Sequence, residues 1–262
     1  MKYQRAGVAS TFSPTFAAVI AEADALAHHC GAGLEIIHAA AFDSEKEKRF
    51  LAALGRKSLI RWVEAESPAR AIIGAAYDYQ YQLLIAGALQ TEDTDRSFTS
   101  SVARELLRRA PCDLLLVPRP QEAPAPLRHM VFAVDPGDDV EDFLQRVVAM
   151  VQPRRVTIAV TETPFAAAIA ASRGETPGDL EEWLERIAAP LEGRVSEIEA
   201  RVIRSNTGYT LCDVIHGLEA DILVVRARPA EEGDPLPMHM GWLYQVIPTR
   251  LLVAKDRGKS RA

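Results

Sequence analysis

The sequence repeats one pattern twice: short apolar runs alternate with segments of helical periodicity, on both sides of a proline-rich stretch. Apolar runs bounded by turn signals predict buried strands, and the amphipathic segments between them predict helices that cover the strands. Because the strands are apolar nearly throughout, we expect parallel sheets covered on both faces. The pattern therefore predicts an α/β fold in two copies, with strands at 3–10, 33–40, 59–66, 81–88, 112–118, 129–135, 154–162, 195–205, 220–228 and 249–255.

The stretch between the two copies, residues 118–128, contains four prolines. Proline cannot donate a hydrogen bond to a sheet and it stiffens the chain, so this stretch is typical of a semi-rigid linker. We therefore expect a first domain at 1–118, a linker at 119–128, a second domain at 129–256 and a tail at 257–262. The second copy is the longer one, and we expect it to hold additional loop residues without an additional element.

Composition excludes several classes of protein. The formal net charge of −6 argues against nucleic-acid binding, which requires a basic surface. No apolar run approaches the ~18 residues that span a bilayer. The three cysteines are widely spaced and indicate no disulfide framework. We therefore expect a cytoplasmic protein that does not insert into a membrane.

The predicted topology also places a candidate site. In open parallel sheets, ligands bind at the carboxyl ends of the strands that flank the point where the strand order reverses. If this point lies between the first and fourth strands, the site of the first domain is lined by Ser10, Thr11, Phe12, Gly87, Ala88 and Leu89. The equivalent residues of the second domain are Asp135, Pro136, Gly137, Arg226, Ala227 and Arg228.

Three stretches carry a resemblance to a known family: "SSVARELLRRAPCDLLLVP" at 100–118, "MVFAVDPGDD" at 130–139 and "ADILVV" at 220–225. They resemble the universal stress protein family in its tandem form. The resemblance implies two flavodoxin-like (adenine nucleotide alpha hydrolase-like) domains, each with a five-stranded parallel sheet of order 3-2-1-4-5. It also implies an intrachain pseudo-dimer in which the fifth strands, 113–117 and 250–254, pair with each other. A further homodimer is left open.

Nucleotide-binding members of that family carry a loop of the form G-x-x-G-x9-G-[ST], whose glycines let backbone amides approach the phosphates. On this chain the four positions fall on Gly87, Gln90, Ser100 and Ser101. Two of the three glycines are therefore missing. The loop also contains three carboxylates and a single arginine, so we expect it to bind phosphate weakly or not at all.

The second copy departs from the family pattern in the opposite way. The family's acidic residue after the first strand falls on Ser10 in the first copy and is kept as Asp135 in the second. Residues 226–242, however, match none of the loop glycines at the right spacing. At best Gly241 takes the third position, followed by Trp242 where the hydroxyl belongs. We expect neither copy to hold a complete nucleotide site.

Other residues suggest weaker alternatives. Cys212 and His216 have a spacing that can place two metal ligands on one helical face, and histidines occur at 28–29 and 239. No further ligand pair accompanies them, so we expect no metal. No Gly-x-Ser-x-Gly motif is present, and we identify no catalytic residue. A hydrolase remains an alternative.

The sequence thus favours a non-enzymatic stress-response protein that acts by binding a protein partner or a small ligand, neither of which the sequence identifies, and that needs no cofactor. The alternative is an ATP-binding stress sensor that uses the loop of the first domain, with slow or no hydrolysis. The candidate binding residues are Ser10, Thr11, Gly87, Gln90, Ser100, Ser101 and Asp135.

Overall fold

The structure, a computed structural model, describes residues 3–88, 99–136, 139–172, 174, 177–205, 209–228 and 233–255. The chain divides into two units. The first holds the residues up to Ala125 together with Leu243–Ala254, and the second holds Pro126–Trp242 together with the residues from Lys255 on. The domain boundaries expected from the sequence stay a prediction.

Strands and helices alternate along the first unit. Its elements are β1 (Arg5–Ala9), α1 (Phe16–Cys30), β2 (Gly33–His38), α2 (Ser44–Leu54), β3 (Ile60–Trp62), α3 (Pro68–Asp78), β4 (Leu83–Gly87), α4 (Ser101–Arg109) and β5 (Asp113–Val117). The strands pair in parallel in the order β3-β2-β1-β4-β5. This order confirms the prediction for the first copy, and it places the reversal of strand order between β1 and β4.

Helices cover this sheet and begin where the sequence carries capping residues. Helix α1 packs against α2, and α3 against α4, as the helical layers of a doubly wound sheet. The Oγ of Ser67 accepts a hydrogen bond from the backbone N–H of Arg70 at 3.3 Å, directly before Pro68 at the first turn of α3. A serine cap followed by a proline in the first turn is a favoured start of a helix.

The second unit repeats the pattern with one addition. Its elements are β6 (His129–Val134), α5 (Glu141–Val151), β7 (Arg155–Glu162), α6 (Pro164–Ser172), α7 (Pro177–Ala188), β8 (Glu197–Arg204), α8 (Tyr209–Gly217) and β9 (Ile222–Ala227). Parallel pairing gives the order β8-β7-β6-β9, which is the 3-2-1-4 part of the expected order. The α/β fold with parallel sheets is thus confirmed.

Helix α6 corrects the expectation that the second copy holds additional loop residues without an additional element. The stretch "PFAAAIAAS" is rich in alanine, the best helix former, and it begins with proline, which is favoured in the first turn. It lacks the alternation of apolar and polar faces that predicts the other helices, so the periodicity of the sequence gives no sign of it.

The last strand, β10 (Arg250–Lys255), pairs antiparallel with β5, with Leu252 opposite Leu115. This pairing of the expected fifth strands is confirmed. It covers an edge strand whose five residues are all buried. The preceding segment, Met238–Tyr244, is a 3-10 helix. Pro237 lies directly before it, and the carbonyl of Pro237 accepts the tight-turn bond from Met240 N at 2.8 Å.

Candidate ligand-binding site

A cavity of about 530 Å³ lies in the first unit, at the carboxyl ends of β1, β2 and β4. This is the end of the sheet where the order of strands reverses, as the topology predicts for a ligand site. The volume falls within the range of roughly 300–1,000 Å³ that is typical of small-molecule pockets. The cavity is therefore large enough for a metabolite-sized ligand.

The lining divides into a polar part and an apolar part. The polar part consists of hydroxyl groups and one imidazole, from Ser10, Thr11, Ser13, Thr15, Ser100 and His38. The apolar part is formed chiefly by Phe16, Val19, Pro68, Ile72, Val102 and Pro118. Among the described lining residues there is no Asp, Glu, Lys or Arg. This part of the lining therefore offers hydrogen bonds but no ion pair.

Ser10, at the end of β1, is fixed by its backbone. Its N–H donates to the carbonyl of Ile37 at 3.0 Å, and its carbonyl lies 2.9 Å from Nδ1 of His38. Both contacts join β1 to β2, and they leave Ser10 buried. Ser10 is thus a fixed part of the wall between the two strands.

His38 is the functional candidate that the sequence reasoning missed. Its side chain is only 7% exposed, and its Nε2 has no hydrogen-bond partner among the described residues. The ring is packed edge-on against the aromatic rings of Phe12, Phe50 and Trp62, with centroids 5.1–5.5 Å away. A usable signal was present, because His38 is a polar residue at the carboxyl end of a buried strand next to β1.

Gly87, at the end of β4, lines the cavity, and its backbone does not require glycine. A Cβ at this position would lie 3.4 Å from Cγ2 of Val19, which is an ordinary contact. A larger side chain would therefore occupy cavity space without straining the backbone.

Ser100 also lines the cavity, but part of its hydrogen-bonding capacity is used. Its Oγ accepts from the N–H of Ala103 at 3.1 Å and so caps α4, while its own N–H donates to the carbonyl of Ala88. Ser101, the first residue of α4, is exposed and does not belong to the lining. The structure thus brings Ser10, Thr11, Gly87 and Ser100 together and leaves Ser101 aside. Gln90 lies outside the described residues.

Asp135 belongs to the second unit, where its carboxylate already has basic neighbours. Nε2 of His239 lies 3.3 Å from one oxygen, and the guanidinium of Arg228 lies 3.8 Å from the other. Burial lowers the pKa of His239; the Asp135 carboxylate opposes this effect and Arg228 adds to it. Asp135 therefore lies beside one guanidinium and one imidazole, and the lowered pKa of the imidazole favours its neutral form.

Trp242, which stands at the hydroxyl position of the loop pattern in the second copy, is a core residue. Its side chain is buried, and its ring lies 6.1 Å from that of Tyr209. The large apolar ring occupies the place where the family pattern has a small hydroxyl. This position of the second unit thus serves packing.

The metal and thiol candidates do not form a site within the part of the chain that the structure describes. No group of three His, Cys, Asp or Glu side chains there is arranged to hold a metal ion. Cys212 is buried, and burial raises the pKa of its thiol, whereas His216 is exposed. The two residues therefore lie in different environments despite their helical spacing.

Comparison with known proteins gives a family match and similar folds. Residues 39–118 match the model of the universal stress protein family. None of the curated proteins is significantly similar in sequence to the chain. A functionally unknown protein from Pseudomonas aeruginosa PAO1 aligns over 97% of this chain and 92% of its own, with a TM-score of 0.73 and 12% identity. A universal stress protein from Archaeoglobus fulgidus DSM 4304 aligns over 95% of this chain and 98% of its own, with a TM-score of 0.65 and 14% identity.

A third solved structure is a universal stress protein in complex with cAMP. It aligns over 45% of this chain and 98% of its own, with a TM-score of 0.37 and 23% identity. A similarity at this TM-score supports no conclusion about the chain.

The fold and the cavity define the class first: an α/β protein with parallel sheets of the nucleotide-binding-like kind, arranged as two units. The match to the universal stress protein family covers residues 39–118, which is less than a third of the chain. The chain is therefore similar to the universal stress protein family over this stretch, and the fold of its two units resembles that of the universal stress protein from Archaeoglobus fulgidus. None of the helices in the described ranges has the length and apolar character needed to cross a bilayer.

Proposed function

We propose that this protein is a non-enzymatic stress-response protein of the cytoplasm that acts by binding an uncharged small ligand in the cavity of its first unit. The observation that supports this most directly is the lining itself. It combines hydroxyls, one buried imidazole and apolar walls, and its described residues carry no charged side chain. Such a lining suits a ligand that is mainly apolar and forms a few directed hydrogen bonds.

The same observation argues against tight binding of a polyphosphate. Proteins recognise phosphate groups through arginine or lysine side chains and through free amides at helix starts. No cation is present on the described lining, and Ser100 already caps the helix start next to it. In the second unit, the guanidinium of Arg228 lies 3.8 Å from the carboxylate of Asp135. A protein that binds an uncharged ligand and has degraded nucleotide sites therefore fits the residues found in both units.

A nucleotide-binding stress sensor is the second candidate, and one observation favours it. Gly87 and the start of α4, represented by Ser100 and Val102, face the same cavity. A phosphate placed there would lie close to backbone groups at a helix N-terminus, where anions are stabilised. This function requires the phosphate to bind without a cation from the described lining. The two candidate functions differ in the charge of the ligand: the sensor retains a charged nucleotide, and the first proposal requires an uncharged compound.

The test is a retention experiment on the full chain with a filled-cavity variant. The purified protein is incubated with the small-molecule filtrate of the cells that express it, freed of unbound compounds and examined by native mass spectrometry. Gly87→Val places a branched side chain in the cavity, next to Val19. Gly33→Val is the matched control, since Gly33 also lies in a strand of the same unit but has no part in the lining and has room for a Cβ.

We expect the wild-type protein and Gly33→Val to retain an uncharged compound that Gly87→Val loses. Circular dichroism should show that all three proteins are folded. Retention of a phosphorylated nucleotide would favour the sensor. If Gly87→Val retains the same compound as the wild type, the cavity is not the binding site and the proposal is wrong.

A further inference from the structure

Strand β8, Glu197–Arg204, is the last strand of the parallel sheet of the second unit. On one side it pairs with β7 over its full length, from Arg155 opposite Glu197 to Glu162 opposite Arg204. Among the strands that the structure describes, none pairs with its other side. The N–H and C=O groups that point away from β7 therefore form a free edge, which can hydrogen-bond to a strand of another chain.

The middle of β8 is accessible to solvent. Ala200 and Arg201 are exposed, and Ile198, Glu199 and Val202 are half-buried. The edge strand of the first unit, β3, has only three residues, whereas β8 has eight. A long free edge either has a partner or is protected from one by its charges. The arrangement of the charges on β8 decides between these two possibilities.

Glu199 and Arg201 carry opposite charges on the same face of the sheet, because they are two residues apart in a strand. Nε of Arg201 donates a hydrogen bond to one carboxylate oxygen of Glu199, and Arg155 of β7 donates to the other at 3.0 Å. The small side chain of Ala200 lies between the two charged residues in the chain. The free edge thus presents an anion and a cation at equal distances on either side of Ala200.

This arrangement is self-complementary. If two copies of β8 pair antiparallel about a twofold axis at Ala200, Glu199 of each copy lies opposite Arg201 of the other. On the other face of the sheet, Ile198 of each copy then lies opposite Val202 of the other. Opposite charges and apolar side chains are favourable cross-strand neighbours. An axis at Glu199 or at Arg201 would instead set two like charges directly opposite each other, which is destabilising.

We propose that β8 is the interface of a homodimer, in which it pairs antiparallel with β8 of a second copy of this chain about an axis at Ala200. Such a contact uses the same edge of both copies, so it closes with two chains and does not continue into a filament. The inference is independent of the proposed function, because β8 supplies no residue to the described lining of the cavity in the first unit.

Two charge reversals test this interface on the full chain: Glu199→Arg and Arg201→Glu. Each variant alone sets like charges opposite each other at both symmetric positions, whereas a mixture of the two variants again pairs opposite charges at both. Glu182→Arg and Arg186→Glu are the matched controls, since they make the same changes of charge at exposed positions of α7. Sedimentation velocity measures the association of each protein and of the mixture.

We expect the wild type and both controls to form dimers with the same Kd. Each β8 variant should raise the Kd about tenfold or more, because attraction is replaced by repulsion at two positions. The mixture should form a one-to-one heterodimer with an affinity close to that of the wild type. Recovery on mixing shows that the single variants are folded, since an unfolded chain would not regain the contact.

Hydrogen exchange of the wild type gives a test that needs no variant. The backbone amides of β8 should exchange more slowly at concentrations at which the dimer forms than at concentrations at which the chain is a monomer. A wild type that stays monomeric up to about 1 mM overturns the proposal. A dimer that neither β8 reversal weakens, a mixture that does not recover, or unchanged exchange in β8 overturns it as well.

Discussion

The carboxylate of Glu35, on β2, accepts hydrogen bonds from three side chains. Arg5 and Arg61 each donate at 2.8 Å, and the hydroxyl of Tyr81 donates at 2.7 Å. Burial alone would raise the pKa of Glu35, but these donors outweigh it and lower the pKa to about 2. Burial and the same carboxylate together raise the pKa of Tyr81. The network therefore stabilises the folded state through the charged form of Glu35.

The direction of this pKa shift sets the pH range in which the stabilisation is lost. The pKa of Glu35 is lower in the folded protein than the ordinary value of 4.5. Its contribution is therefore complete above about pH 4.5 and declines as the pH falls toward 2. We predict that Glu35→Gln lowers the free energy of unfolding by roughly 2 kcal/mol at neutral pH. The difference from the wild type should shrink below pH 4.5, as measured by urea unfolding across this range.

Glu45→Gln is the control for this measurement. Glu45 forms an ion pair with Lys48, but its side chain is 76% exposed, and such pairs contribute about 0.5 kcal/mol or less. A difference between Glu35→Gln and the wild type that stays constant from pH 7 to pH 3 would show that the charge of Glu35 is not what stabilises the fold.

At the scale of elements, β5 is the strand that most needs a neighbour. All five of its residues, Asp113–Val117, are buried, and β10 covers its free edge. A second contact ties β10 to α1: the guanidinium of Arg250 donates to both carboxylate oxygens of Glu22, at 2.7 and 2.9 Å, with both side chains largely buried. The last strand is thus held by its backbone and by a buried ion pair.

We predict that a fragment of residues 1–118 self-associates, because it lacks β10 and exposes the apolar edge of β5. Sedimentation velocity over a range of concentrations measures this association, with the full chain as the control. A fragment that sediments as a stable monomer would show that β5 does not depend on the pairing.

The strand–helix order and the first sheet could be predicted because they depend on local patterns. Apolar runs such as β4 and caps such as Ser67 can be recognised from a few consecutive residues. The partner of Glu22 could not be predicted, since Arg250 lies 228 residues further along the chain. Within the sequence alone, Glu22 appears as a polar interruption of a helix. Helix α6 was missed for a different reason, because its alanines give no amphipathic contrast.

Part of the candidate site could also be predicted, because the positions of strand ends follow from the order of the strands. Strand ends identify Ser10, Thr11 and Gly87, because topology alone brings the carboxyl ends of β1 and β4 together. The unpaired nitrogen of His38 depends on tertiary contacts with Phe50 and Trp62, which no local pattern contains. The sequence therefore located the cavity but not the buried imidazole of His38 in its wall.

At the scale of the whole molecule, the two units keep the same fold and differ in the residues at the carboxyl ends of their strands. The first has a cavity whose described lining is uncharged, while the second places Asp135 beside Arg228 and buries Trp242. The strand ends that would hold a nucleotide are present in both units, but the described lining of the first carries no cation, and in the second Arg228 lies beside the carboxylate of Asp135. This contrast supports the proposal that the protein binds uncharged ligands.

Isothermal titration calorimetry of the full chain with ATP and magnesium tests this claim most directly. We predict no binding tighter than a Kd of about 100 μM, which corresponds to roughly −5.5 kcal/mol. A Kd near 1 μM, or about −8.2 kcal/mol, would contradict the claim and identify the protein as a nucleotide sensor.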